Sequence, residues 1–271
     1  MAPAKTATSA RDRQAARGRE LLSDPAGLWS ALPVEWPRET AGRDAALPGW
    51  SWRVRQSLLA LLARPRRSFV YVQEPVDHAS ALRFLLSVRL PLWGLLLAVL
   101  LARALQGSNT AIEVRPAHDL LDPRLTDAVS LWGLLMTPVG VPLLYFCLGI
   151  AAHVAVALTG GAPRSIAASM RAVGYATAPA LLGVAILDLP LYLGLLPSVA
   201  YAGALAAMTA MVFVLTGNAL TGTHQIAAAR GFVVALVPAV LFAATQAARA
   251  LLVLPELPGW APPQGMPYFV P

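Results

Sequence analysis

"AVGYATAPALLGVAILDLPLYLGLLPSVAYAGALAAMTAMVFVLTGNALTGTHQIAAA", Ala172 to Ala229, holds a single charged side chain, Asp188. One membrane span takes about 20 apolar residues, so this run must cross a bilayer at least twice. Ala128 to Pro163 is a second run without Asp, Glu, Lys or Arg. The rest of the chain shares the bias. Of 271 residues, 57% are hydrophobic and only 13% are charged, with mean hydropathy +0.60. A soluble domain carries about a quarter charged residues, so a water-exposed surface cannot be covered here. The expectation is an all-α fold, a polytopic membrane helix bundle of five transmembrane helices preceded by a short amphipathic interfacial helix.

The spans are expected at roughly Leu82 to Leu105, Trp132 to Leu158, Ala172 to Leu193, Ser198 to Leu220 and Phe232 to Leu254. Arg83, Arg89 and Arg103 lie toward the ends of the first, where long side chains can snorkel to the headgroups. Loop charges set the orientation. Arg64, Arg66, Arg67, Arg83, Arg164, Arg171 and Arg230 fall on one side, and Arg115 and Arg124 on the other. The positive-inside rule then places the N-terminus in the cytosol and the C-terminus outside; the membrane is expected to be a cell inner membrane. Small residues supply the expected helix contacts: Ala235, Ala239, Ala243 and Ala247 on the fifth span, and Ala200, Gly203, Ala204, Ala207 and Met208 on the fourth.

Residues 1–49 read as a disordered basic cytosolic tail, and 13 of the 21 Lys and Arg residues fall at or before Arg83. Met1 to Glu20 lacks an apolar h-region, so the first span is expected to serve as its own insertion signal. In segment 50–69, Val54, Leu58, Leu61 and Leu62 recur at helical spacing beside Arg53, Arg55, Arg64, Arg66 and Arg67. That composition suits a helix lying on an anionic leaflet, or one packed on the protein's own cytosolic face. The five-span domain is taken as 70–254 and a short Pro-rich tail as 255–271.

No constellation for catalysis or metal binding stands out. His78, His118, His153 and His224 are far apart and unpaired at ligand spacing. His118, Asp119 and Asp122 cluster in an outer loop as a solvated acidic face. Cys147 is the only cysteine. The polar groups at membrane depth are the candidate functional positions. His153 and Asn218 are expected to hydrogen-bond between helices. Asp188, beside Pro190, is expected in a bend at the outer surface. Pro179 loosens the first turns of the third span, and Tyr175 suits an interface where an aromatic ring keeps one wet end.

Four stretches carry a family resemblance. "LLALLARPRRSF" (58–69) precedes the first span, "TGGAPRS" (159–165) follows the second, "GYATAP" (174–179) opens the third, and "TGTHQIAAARGFVVAL" (221–236) leads into the fifth. In order and spacing the chain resembles the Yip1 family of five-span membrane proteins in its bacterial form, over about residues 57–250. The resemblance implies a role for His224 in a cytosolic connector. In eukaryotic members it implies vesicle traffic and binding of Rab-type GTPases, whereas bacterial members have no settled role. The functional expectation is a non-enzymatic scaffold that organises membrane or recruits a partner, with a transporter or channel component as the alternative. No cofactor and no nucleic acid are expected. The expected partners are the bilayer, anionic lipid against 50–69, a protein that no residue identifies, and a second copy of the chain.

Overall fold

The computed structural model describes residues 32–35, 49–70, 76–105, 133–193 and 195–253, except for the side chains of 103–105, 198 and 249–253. Arg103's side chain, the loop holding His118, Asp119 and Asp122, and the C-terminal tail therefore lie outside the described residues. Among the described residues, the main helices in chain order are α1 (Trp50–Ala63), α2 (His78–Leu105), α3 (Thr137–Leu158), α4 (Ile166–Tyr192), α5 (Ser198–His224) and α6 (Ala228–Val253). Two 3-10 turns, Pro33–Glu35 and Arg67–Phe69, flank α1. Helices α2 to α6 are each long and apolar enough to cross a membrane. A helix satisfies its own backbone polar groups, which hydrocarbon cannot do.

Local chemistry explains where the helices start and stop. The Asp77 carboxylate accepts from the Ala79 amide at 3.0 Å and the Ser80 hydroxyl at 2.5 Å, capping α2. Ser165 caps α4 by accepting from the Ala168 amide at 3.3 Å. Pro138 sits in the first turn of α3, where its missing N–H is harmless. Pro65 follows α1 and Gln225, at φ 52°, closes α5 in the left-handed region. Pro91, Pro142, Pro179, Pro190 and Pro238 all lie inside helices that continue past them.

Four helix ends run between one and two turns beyond the expected spans, while α3 starts at Thr137 rather than Trp132. α2 begins at His78 rather than Leu82, α4 at Ile166 rather than Ala172, and α6 at Ala228 rather than Phe232, while α5 ends at His224 rather than Leu220. Alternating direction puts all four at the same end of the bundle. The added turns carry Ser169, Arg171, His224 and Arg230. Hydropathy stops at such residues, yet their hydrogen bonds inside the protein let the helices continue.

α4 is the central helix. It packs against α2, α3 and α5, and α6 bridges α5 and α3. Every residue from Ala168 to Leu181 is buried, so protein surrounds this stretch on all faces. Outward residues such as Val139, Leu143, Ile186 and Val240 remain exposed and apolar, as a lipid-facing surface requires. Glycines permit the closest crossings. A Cβ on Gly149 would stand 2.6 Å from the Met170 backbone, and one on Gly174 would stand 2.5 Å from the Tyr145 ring. The alanine ladder of α6 is buried at Ala235 and Ala239, half-buried at Ala243 and exposed at Ala247. On α5, by contrast, Ala200, Gly203 and Ala207 face outward, and α5 meets α6 instead through Gly217 against Phe232 and Thr221 against Gly231.

Candidate functional site: polar clusters along the central helix

Three polar clusters converge on α4. The first joins three helices at the polar end. His153 of α3 places Nδ1 2.9 Å from the Ser169 hydroxyl, which lies 2.8 Å from Nε2 of His224 at the end of α5. A hydroxyl has one proton to give. When it donates to one imidazole and accepts from the other, the two contacting nitrogens take opposite roles, which places the proton on the same ring nitrogen, Nδ1 or Nε2, in both histidines. Ser169 is fully buried.

The second cluster centres on Arg171, 2% exposed. Its Nε and one terminal nitrogen donate to the two carboxylate oxygens of Glu35 in a bidentate ion pair. The guanidinium carbon stands 5.6 Å from the centre of the Tyr175 ring. Tyr175 packs against Phe84 of α2, while the Tyr145 hydroxyl meets Nδ1 of His78 at 2.6 Å. Glu35 arrives from 136 positions earlier in the chain. Leu32 and Val34, both buried, seat its turn, and the Val34 amide donates to Ser57 of α1 at 3.1 Å. These four residues lie within the segment read as a disordered tail, and here they are folded against the core.

The third cluster lies near the far end of α4. Arg89 of α2 donates to the Asp188 carboxylate at 2.5 Å, and the Tyr201 hydroxyl of α5 donates to its other oxygen at 3.0 Å. Both charged residues are at most 5% exposed. Seventeen residues separate Arg171 from Asp188 on α4, about 26 Å of helix rise, close to the ~30 Å of a hydrocarbon core.

Several expectations are corrected. Arg89 does not snorkel; it is buried and paired, because a partner carboxylate inside the bundle replaces the headgroup water. Asp188 is not in a surface bend, since α4 continues through Pro190 to Tyr192. Tyr175 is wholly buried rather than at the interface. The helix runs unbroken through Pro179, where the lost bond would have gone to the Tyr175 carbonyl. Asn218 donates to Val214 of its own helix at 2.8 Å instead of bridging two helices. Arg53 is also buried, 5.1 Å from the Trp50 ring, so it leaves the lipid-facing set. Arg55, Arg64, Arg66 and Arg67 are exposed, alongside Trp52, Leu59 and Leu62. Trp50 itself anchors α1 on α2, donating to Ser87 at 2.8 Å beneath Arg83.

The four stretches behind the resemblance meet at this polar end. A Cβ on Gly222 would stand 2.6 Å from the Arg66 carbonyl, which brings 64–70 against the end of α5. Gly160 and Gly161 adopt φ of +132° and +85° in the turn after α3. Arg230 closes that turn by donating to the carbonyls of Val156 at 2.7 Å and Gly161 at 2.6 Å. Glu35, Ser169, Tyr145 and Tyr201 were not singled out from the sequence. The available signal was a lone acid in the short apolar patch "LPVEW" and a rule for opposite charges: in hydrocarbon they pair.

Among the described residues, no group of three His, Cys, Asp or Glu side chains could hold a metal ion. The clusters instead join helices. A family model, the Yip1 domain, matches residues 59–248. No curated protein and no solved structure matches the chain.

Proposed function

The chain belongs to the Yip1 domain family, and on that premise we propose that it is a non-enzymatic scaffold that organises membrane or recruits a partner. The observation that carries this reading is the sealed centre. Ala168 to Leu181 of α4 is buried on every side, and the three polar clusters hold neighbouring helices to it. With its interior committed to packing, the protein acts through its surfaces. Its most distinctive surface is the outward side of α1 and the segment after it. Trp52, Leu59 and Leu62 offer apolar area there, and Arg55, Arg64, Arg66 and Arg67 offer charge. This combination suits an anionic leaflet. The matching orientation has the polar end of the bundle in the cytosol of a bacterial inner membrane.

The test is the response of α1 to lipid charge. Leu59→Cys, in a Cys147→Ser background, is labelled with a water-soluble thiol reagent in nanodiscs. Labelling is expected to slow when zwitterionic lipid is replaced by anionic lipid. Changing Arg55, Arg64, Arg66 and Arg67 to Gln is expected to abolish the difference. Equal labelling in both lipids would remove the membrane-surface role. The buried Arg89–Asp188 pair is what favours the alternative of a transporter component, because intramembrane charge often marks a transport path. Ion or solute flux in proteoliposomes, lost in Asp188→Asn, would promote that alternative.

A further inference from the structure

We propose that Arg171 and Tyr175 form a phosphate-binding site, and that Glu35 is an internal ligand occupying it in the state described here. The donors exceed what Glu35 uses. A planar carboxylate engages Nε and one terminal nitrogen of Arg171. The other terminal nitrogen is buried without a hydrogen-bond partner, and the buried Tyr175 hydroxyl lies beside Glu35 without a well-formed hydrogen bond. Both groups belong to side chains at most 2% exposed, on successive turns of one helix face. A tetrahedral phosphate brings further oxygens out of the carboxylate plane, and these can engage the spare Arg171 nitrogen and align with the Tyr175 hydroxyl while keeping the bidentate contact.

The internal ligand is lightly held. Its turn is seated by Leu32 and Val34 and by the Val34–Ser57 hydrogen bond. Glu35 is the part of the pair that water reaches, its side chain 17% exposed against 2% for Arg171. Arg171 cannot stand empty, because a buried guanidinium without an anion is strongly disfavoured. Departure of the turn therefore requires exchange for another anion. The site lies at the polar end of the bundle, where α2 and α4 begin. Exposed Arg64, Arg66 and Arg67 stand at that same end, able to concentrate anions. The chemistry is that of a phosphate monoester, either on a lipid headgroup or free. The scaffold reading is not needed for this site, and the failure of either leaves the other intact.

The experiment uses the full chain in nonionic detergent, with ligand adducts measured by native mass spectrometry. The probes are dioctanoyl phosphatidic acid, inorganic phosphate and, as a phosphate-free control, dioctanoyl glycerol. Glu35→Gln removes a tethered competitor whose effective concentration is on the order of millimolar, so phosphatidic acid should bind about tenfold tighter or more than to wild type. Tyr175→Phe in that background should weaken binding several-fold, and Glu35→Gln with Arg171→Gln should abolish it. If inorganic phosphate binds as tightly, free phosphate is a sufficient ligand; if only phosphatidic acid binds, the headgroup is the source. Both results support the site. Binding that persists without Arg171, or that dioctanoyl glycerol reproduces, overturns it, as does a Glu35→Gln protein no tighter than wild type. Should Glu35→Gln fail to fold, hydrogen exchange on the wild type decides. Excess phosphatidic acid should accelerate exchange at the Val34 amide, and an unchanged rate overturns the proposal.

Discussion

Replacing Asp188 with Asn removes the anion from a buried ion pair while leaving an oxygen for the Tyr201 hydroxyl. The magnitude follows from the geometry. At 2.5 Å and an effective dielectric of about 20, the gross attraction between Arg89 and Asp188 is roughly 7 kcal/mol. Desolvating two ions offsets most of that, so the net contribution of the intact pair is small. The single substitution is different, because it strands a guanidinium in a site where Arg89 is 5% exposed, at a cost of about 3–5 kcal/mol. Asp188→Ala should cost about 1–2 kcal/mol more, since Tyr201 also loses an acceptor. The double variant Arg89→Met with Asp188→Asn should return to within about 1.5 kcal/mol of wild type, because no charge is left unpaired. The assay is reversible unfolding in mixed micelles with increasing dodecyl sulfate, followed by tryptophan fluorescence. A double-mutant cycle should then show a coupling of about 2 kcal/mol or more. A cost below about 1 kcal/mol for Asp188→Asn, or simple additivity, would refute the reasoning and mean that Arg89 reaches headgroup water.

Further substitutions test the packing of the helices. Gly149→Ala drives a methyl to 2.6 Å from the Met170 backbone and should destabilise the bundle by about 1–3 kcal/mol in the same assay. Gly203→Ala, with nothing within 4 Å, should be neutral or slightly stabilising through helix propensity. Ser169→Ala leaves His153 Nδ1 and His224 Nε2 without their shared partner, and about 1–3 kcal/mol should be lost; Ser169→Thr, which keeps the hydroxyl, should lose less.

The membrane spans were legible in the sequence because each depends on a local property, the length of an uncharged run. What escaped depends on pairing across distance. Arg89 and Asp188 lie 99 positions apart, and each viewed alone has a nearer solution, snorkelling for one and a surface bend for the other. Only their apposition makes burial tolerable. Tyr175 shows the same limit. Beside Arg171 it reads as an interfacial ring, and it becomes core only because Glu35, Phe84 and α3 close around that turn. Glu35 was hardest to see, since the surrounding tail is charged and Pro-rich and the acid is anchored by helices that follow it. At the polar end the helices were cut short for one reason: hydropathy penalises Ser169, Arg171 and His224 as though exposed, while the bundle satisfies them internally.

Water access to α4 tests the central claim most directly. Ala172, Ala176 and Ala180 are fully buried, and cysteine adds a single heavy atom at each. Each is changed to Cys in a Cys147→Ser background, and the protein is reconstituted in liposomes. A membrane-impermeant thiol reagent is then applied from either side. A sealed centre predicts no labelling at the three positions until the protein is unfolded, with Leu59→Cys on α1, in liposomes of zwitterionic lipid, labelled as the positive control. Rapid labelling of all three in the folded protein would mean that a water-lined path runs along α4, and would contradict the account.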